Sequence, residues 1–151
     1  MKIEDEIQQS EFASQYQKLT VNILFTASWL TNLHQQFFKP HGLSMQQYNL
    51  LRILRGQYPS PASITLLMDR MIDKSSNASR LVDKLLAKGL IVRKVCEKDR
   101  RQKDVMISEK GLEVLEKIGA AFDEFEYCFT ALSPEEARQL NQLLDKLRDQ
   151  S

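Results

Sequence analysis

The stretch Lys74-Ser75-Ser76-Asn77-Ala78-Ser79-Arg80-Leu81-Val82-Asp83-Lys84-Leu85-Leu86-Ala87-Lys88-Gly89-Leu90-Ile91-Val92-Arg93 decides how this chain is read. Ala78, Leu81, Val82, Leu85 and Leu86 recur at i, i+3, i+4, i+7 and i+8, which sets them on one face of a helix. The spacing predicts that helix over about Ser75 to Lys88. Gly89 stops it, and β-branched Ile91 and Val92 open a strand running from Leu90 to Cys96. Lys103 to Ser108, with Val105 and Ile107 on one face, reads as the partner strand. Glu97-Lys98-Asp99-Arg100-Arg101-Gln102 between them is a long, polar hairpin tip.

Upstream, a short helix is expected from Ser63 to Arg70, after the turn Tyr58-Pro59-Ser60-Pro61. Ser44-x-x-Gln47 reads as a capping box for a helix carrying Tyr48, Leu51 and Leu54, with Gly56 suited to the left-handed position after it. The residues from 10 to 38 form a long helical stripe of Phe12, Tyr16, Leu19, Ile23, Leu30 and Phe37, ended by Pro40 and Gly42. At the other end, Leu115, Ile118, Phe122, Phe125 and Phe129 step by 3 and 4, a seam that faces another helix. Ser133-Pro134-Glu135-Glu136 starts a last helix with Ala137, Leu140, Leu144 and Leu147 as its buried stripe.

The expected fold is mainly α with a small β-hairpin wing. A winged helix-turn-helix lobe, 44–108, is flanked by N- and C-terminal dimerisation helices, 1–38 and 109–151, in a single domain. The long seams at both ends favour a homodimer, because the phenylalanine seam is wide for one partner helix. A monomeric bundle burying the same seams stays open.

The 151 residues carry a net charge of +1, which says little until it is divided. Residues 69–103 hold 11 basic and 5 acidic side chains, and residues 104–151 hold 5 basic and 11 acidic. The middle segment, at +6, would attract a polyanion, and the C-terminal one, at −6, would repel it. No run approaches the roughly 20 apolar residues of a membrane span, and the charged N-terminus is no signal peptide. A cytoplasmic protein with no membrane partner is expected. Cys96 and Cys128 fit neither a disulfide framework nor a zinc motif, and His34 and His41 straddle a helix end, so no metal or other cofactor is expected. The chain shows no nucleophile with a base beside it and no phosphate-cradling loop, which argues against an enzyme.

In a winged helix-turn-helix the second helix lies in the major groove of duplex DNA with its N-terminal residues at the base edges. Here Ser75, Ser76, Asn77, Ser79 and Arg80 lie on the open side of that helix start, and Lys84, one turn on, would meet phosphate. Ser, Ser and Asn equally suit plain helix capping. A guanidinium at a loop tip suits a minor groove, which makes Lys98, Asp99, Arg100 and Arg101 candidates, with Asp99 aiming one arginine. A solvated charged turn is the alternative.

The stretch Ser76 to Leu85, the turn Lys88-Gly89-Leu90-Ile91-Val92-Arg93, and Asp99-Arg100-Arg101 followed by Val105 to Gly111 together resemble the MarR family of bacterial transcriptional regulators. Gly42-Leu43-Ser44-x-x-Gln47-Tyr48 resembles the start of that family's second helix. The resemblance implies a homodimer that binds a palindrome, usually as a repressor. It also implies that Arg101 enters the minor groove with Asp99 orienting it, and that Arg100 shares the backbone contact. It implies a small aromatic or phenolic effector that lowers DNA affinity, for which Phe25, Trp29, Tyr48 and Arg52 are candidate contacts, though ordinary core roles suit them too. Asn77 stands where the family commonly has threonine or valine, and Met68 where alanine is common. The first helix holds no cysteine of the peroxide-sensing kind, and Cys96 and Cys128 are expected to be inert. A thiol-based redox regulator, and a protein-interaction module that kept the fold without sequence-specific DNA binding, are the competing readings.

Overall fold

The computed structural model describes residues 1–95, 103–126 and 129–149. Its elements, in chain order, are α1 (Ile3–Glu6), α2 (Gln15–Phe38), a 3₁₀ turn (Lys39–His41), α3 (Met45–Gln57), α4 (Ile64–Arg70), α5 (Ala78–Ala87), β1 (Ile91–Val95), β2 (Lys103–Ile107), α6 (Glu109–Glu126) and α7 (Pro134–Arg148). No helix among the described residues is long and apolar enough to cross a membrane. The chain divides into two compact units, Met1–Leu115 and Glu116–Ser151.

In the first unit the core is built from Phe38, Leu50, Leu51, Leu54, Leu67, Leu85, Ile91, Val105, Ile107 and Leu115, all essentially without solvent contact. Burying each such side chain is worth about 1.5–3 kcal/mol, so this cluster is what fixes α3, α4 and α5 around the hairpin. Ser44 caps α3 as a full capping box with Gln47, and Ser63 caps α4 by accepting the Leu66 N–H at 3.2 Å. β1 and β2 pair antiparallel from Ile91 opposite Ile107 to Val95 opposite Lys103. Ala62 adds a third edge, exchanging both backbone hydrogen bonds with Val105 at 2.8 and 2.9 Å. Gly89 turns α5 into β1 at φ +70°, a left-handed conformation that glycine adopts without steric penalty.

Several boundaries differ from those the sequence predicts. Helix α5 starts at Ala78, not Ser75, because Asn77 takes the cap. Gly56 lies inside α3, which runs on to Gln57. The helix ends where Pro59 follows Tyr58, since a residue before proline is pushed out of the helical region, and Tyr58 indeed has ψ 135°. The N-terminal helix begins at Gln15 behind a Ser14 cap, so Phe12 precedes it. Of its 24 residues only Phe38 is buried.

In the second unit, Ile118 and Phe125 are buried, and Phe122, Phe125 and Phe129 form successive ring contacts at 5.5 and 6.0 Å. The described helix α6 stops at Glu126, so Phe129 lies beyond it in a short turn and is exposed. Ser133 caps α7 in a capping box with Glu136, and Pro134 sits in the first turn. The stripe expected to be buried on α7 is only partly covered: no residue of this helix is buried, Leu140 and Leu147 are exposed, and Ala137 and Leu144 are half-buried.

Candidate nucleic-acid interface

Helix α5 is strongly two-sided. Ala78, Val82 and Leu85 are buried, while Ser79, Arg80 and Lys84 are exposed on the other side. Those three expected contacts are therefore presented to solvent together. Asn77 is tied into the backbone instead, its Oδ1 accepting the Arg80 N–H at 3.0 Å as the N-cap.

Ser75 and Ser76 do not stand on the helix as the sequence reading placed them. They belong to a turn built around Asp73. Its Oδ1 accepts the Ser75 N–H at 3.0 Å and the Ser75 hydroxyl at 2.6 Å, while its carbonyl accepts the Ser76 N–H at 3.2 Å. The Ser75 hydroxyl, then its N–H, hold the Asp73 carboxyl below its ordinary range. The Ser76 hydroxyl is closed off from solvent. An aspartate two residues before a serine is a turn signal, and it outcompetes helix extension here.

Two further ties hold this region. Asn49 of α3 accepts the Ile72 N–H at 3.0 Å, pinning the turn between α4 and α5 from 23 residues away. Arg93 of β1 meets Asp83 of α5 at 3.2 Å, linking strand to helix. The pair also neutralises the one acidic residue of α5, which would otherwise repel phosphate. Neither tie has a local sequence signal, because each joins distant elements. Lys98, Asp99, Arg100 and Arg101 lie outside the described residues, as do Cys96 and Cys128.

The four candidate ligand contacts fall into two places. Phe25 and Trp29 line a cleft of about 280 Å³ with Met1, Ile3, Glu6, Asn22 and Thr26, between α1 and α2. Tyr48 instead stacks on Phe38 with ring centres 4.4 Å apart, and Arg52 lies over Tyr48, its Nη1 donating to the hydroxyl at 3.2 Å. Among the described residues no group of three or more His, Cys, Asp or Glu side chains could hold a metal ion.

The MarR family model covers residues 43–103. The HTH-type transcriptional regulator YkoM of Bacillus subtilis is 31% identical over 109 residues, 72% of this chain and 70% of its own length. The chain belongs to the MarR family. It is thus a winged-helix transcription regulator, not a member of an enzyme family. Two solved structures share the fold of this MarR-family chain. The Staphylococcus aureus MepR–DNA complex matches with a TM-score of 0.75 and 22% identity, over 91% of this chain and 97% of that one. The organohalide-sensing regulator RdhR, solved with 2,4-dichlorophenol bound, matches with a TM-score of 0.81 and 18% identity, over 95% and 87%.

Proposed function

We propose that the protein is a homodimeric repressor that binds a palindromic operator in cytoplasmic DNA and is released by a small aromatic or phenolic ligand. The outer face of α5 carries this reading: Ser79, Arg80 and Lys84 stand exposed on a helix whose other face is locked into the core. Arg80 can fork onto guanine and Lys84 can meet phosphate. Ser75, Ser76 and Asn77 act in this reading mainly by building and capping the start of α5, whose N-terminus is itself a phosphate site. The wing tip Lys98-Asp99-Arg100-Arg101 supplies the minor-groove contact, with Arg101 inserted and Asp99 orienting it. Residues 44–108 form the reading lobe, and 1–38 with 109–151 form the arms that join two copies.

The dichlorophenol held by RdhR supports an effector of that chemistry for this chain. The cleft beside Phe25 and Trp29 is the better of the two candidate places, since Tyr48 and Arg52 already satisfy each other.

Selection of duplexes from a random DNA library by the purified protein tests the reading. A palindromic consensus is expected. On the selected duplex, Arg101→Ala should weaken binding and flatten the dependence of log affinity on log salt by about one. Failure to enrich any sequence would refute DNA reading, and an unchanged salt slope would refute the wing contact.

A further inference from the structure

We infer that Lys88 is a positioning residue for DNA binding, a strut that locks the end of α5 to the corner between α2 and α3. The inference rests on α5 being the DNA-reading helix. Lys88 is the C-cap of α5, in the basic segment where a lysine would ordinarily be counted as a phosphate contact. Its ammonium is directed elsewhere. It donates to the Gly42 carbonyl at 2.5 Å and to Gln47 Oε1 at 3.0 Å, residues 46 and 41 positions away in the chain.

The second acceptor is itself fixed. Gln47 is only 5% exposed, its N–H donates to Ser44 Oγ at 3.2 Å, and its Oε1 also accepts the Ser44 N–H at 3.3 Å. On the other side, Lys110 in the first turn of α6 donates to the Lys88 carbonyl at 2.9 Å. Lys88 therefore joins three elements at one point: the end of α5, the α2–α3 corner and the start of α6. Both acceptors of its ammonium are neutral oxygens, so the charge strengthens the hydrogen bonds without being cancelled. A cation at a helix C-terminus is favourable in its own right.

The consequence is mechanical. Gly42 follows directly on α2 and its 3₁₀ turn, and α2 is the helix whose apolar face is open for a partner. Any change in the angle of α2 moves the corner that Lys88 grips, and the grip passes the movement to α5. A cleft of about 510 Å³, lined by Thr31 and Gln35 of α2 and Lys39 of the 3₁₀ turn together with Lys88, runs along the strut and leaves it reachable from solvent.

The test uses the full chain and a fluorescein-labelled duplex selected by the wild-type protein, titrated across salt concentrations. Lys88→Met should weaken binding roughly tenfold, the scale of a lost charge-assisted hydrogen bond. The salt slope should stay at the wild-type value, because no phosphate contact is removed. Gln47→Met should weaken binding from the other end, and the double variant should lose less than the product of the two. Lys88→Arg should restore part of the affinity. In the free protein, hydrogen exchange at the Lys88, Gly89 and Leu90 amides, which bond to Lys84, Leu86 and Leu85, should speed up in Lys88→Met. A salt slope flattened by about one would make Lys88 a direct phosphate contact and overturn the proposal. Unchanged affinity or strictly multiplicative losses would overturn it equally. If the wild type selects no duplex, DNA reading by α5 fails, while unchanged exchange in Lys88→Met shows that the strut itself fails.

Discussion

Asp73 builds the turn that leads into α5, and its bonds there are stronger to the carboxylate than to the neutral acid. Both of its bonds to Ser75 have the aspartate oxygen accepting, from an N–H at 3.0 Å and a hydroxyl at 2.6 Å. These bonds favour the charged form and lower the carboxyl below its ordinary value of 3.8. A group whose folded value is depressed contributes stability that is complete above the unfolded value and lost as pH falls through the folded one. The turn should therefore be unaffected from neutral pH down to about 5 and should loosen only below about 4. The Ser75 amide resonance should titrate with a midpoint below 3.8, and should stay flat in Asp73→Asn, which keeps an oxygen acceptor without the charge. A midpoint at or above the ordinary value would remove the bond from the argument.

The first turn of α6 rests on the base of the hairpin at Gly111, and there the element allows no side chain. A Cβ on Gly111 would stand 2.2 Å from the Leu90 carbonyl oxygen and 2.7 Å from Ile107 Cγ1. Backbone cannot step aside, so Gly111→Ala should destabilise by about 1–3 kcal/mol despite the better helix propensity of alanine. Gly56, inside α3 with nothing within 4 Å of its Cβ position, is the control: Gly56→Ala should stabilise by up to about 1 kcal/mol. Urea denaturation of the two variants checks both signs, and a neutral Gly111→Ala would refute the close approach. The sequence made some elements plain and others not, for physical reasons. The capping boxes at Ser44 and Ser133, helix α4 and the hairpin strands each carry their signal within a few residues. The start of α5 was harder, because Ser75, Ser76 and Asn77 are all good caps and Asp73 decided among them. Helix α1, at four residues, is too short to show a period. The Ala62–Val105 bridge, the Asn49–Ile72 bond and the Lys88 strut join distant residues and leave no periodic trace. Of the site, the outer face of α5 was legible as a polar stripe; the buried Ser76 hydroxyl and the separation of Phe25 and Trp29 from Tyr48 and Arg52 were not.

Helices α2 and α7 each leave large apolar side chains exposed, and this is what a dimer would resolve. Tyr16 and Leu19 on one face of α2 are exposed at 83 and 42%, and Leu140, Leu143 and Leu147 on α7 at 46, 63 and 50%. A single exposed leucine is ordinary, whereas contiguous stripes on two helices mark an interaction surface. Leu143 and Leu147 are four apart and share one face, so changing both to glutamate places two charges in the seam, where burial without partners is costly. The wild type should sediment as a dimer and Leu143→Glu/Leu147→Glu as a monomer with unchanged helix content. In the proposed complex, the α5 helices of two copies would reach half-sites about 34 Å apart, one turn of DNA. Losing the tether between them removes the effective-concentration gain, on the order of 10²–10⁴ in affinity for the full site. Binding to an isolated half-site, which needs one lobe, should change little. The comparison of full site with half-site thus separates a broken dimer from a damaged reading lobe. A double variant that stays dimeric would move the interface off α7, and a monomeric wild type that binds the full site tightly would remove the need for the arms altogether.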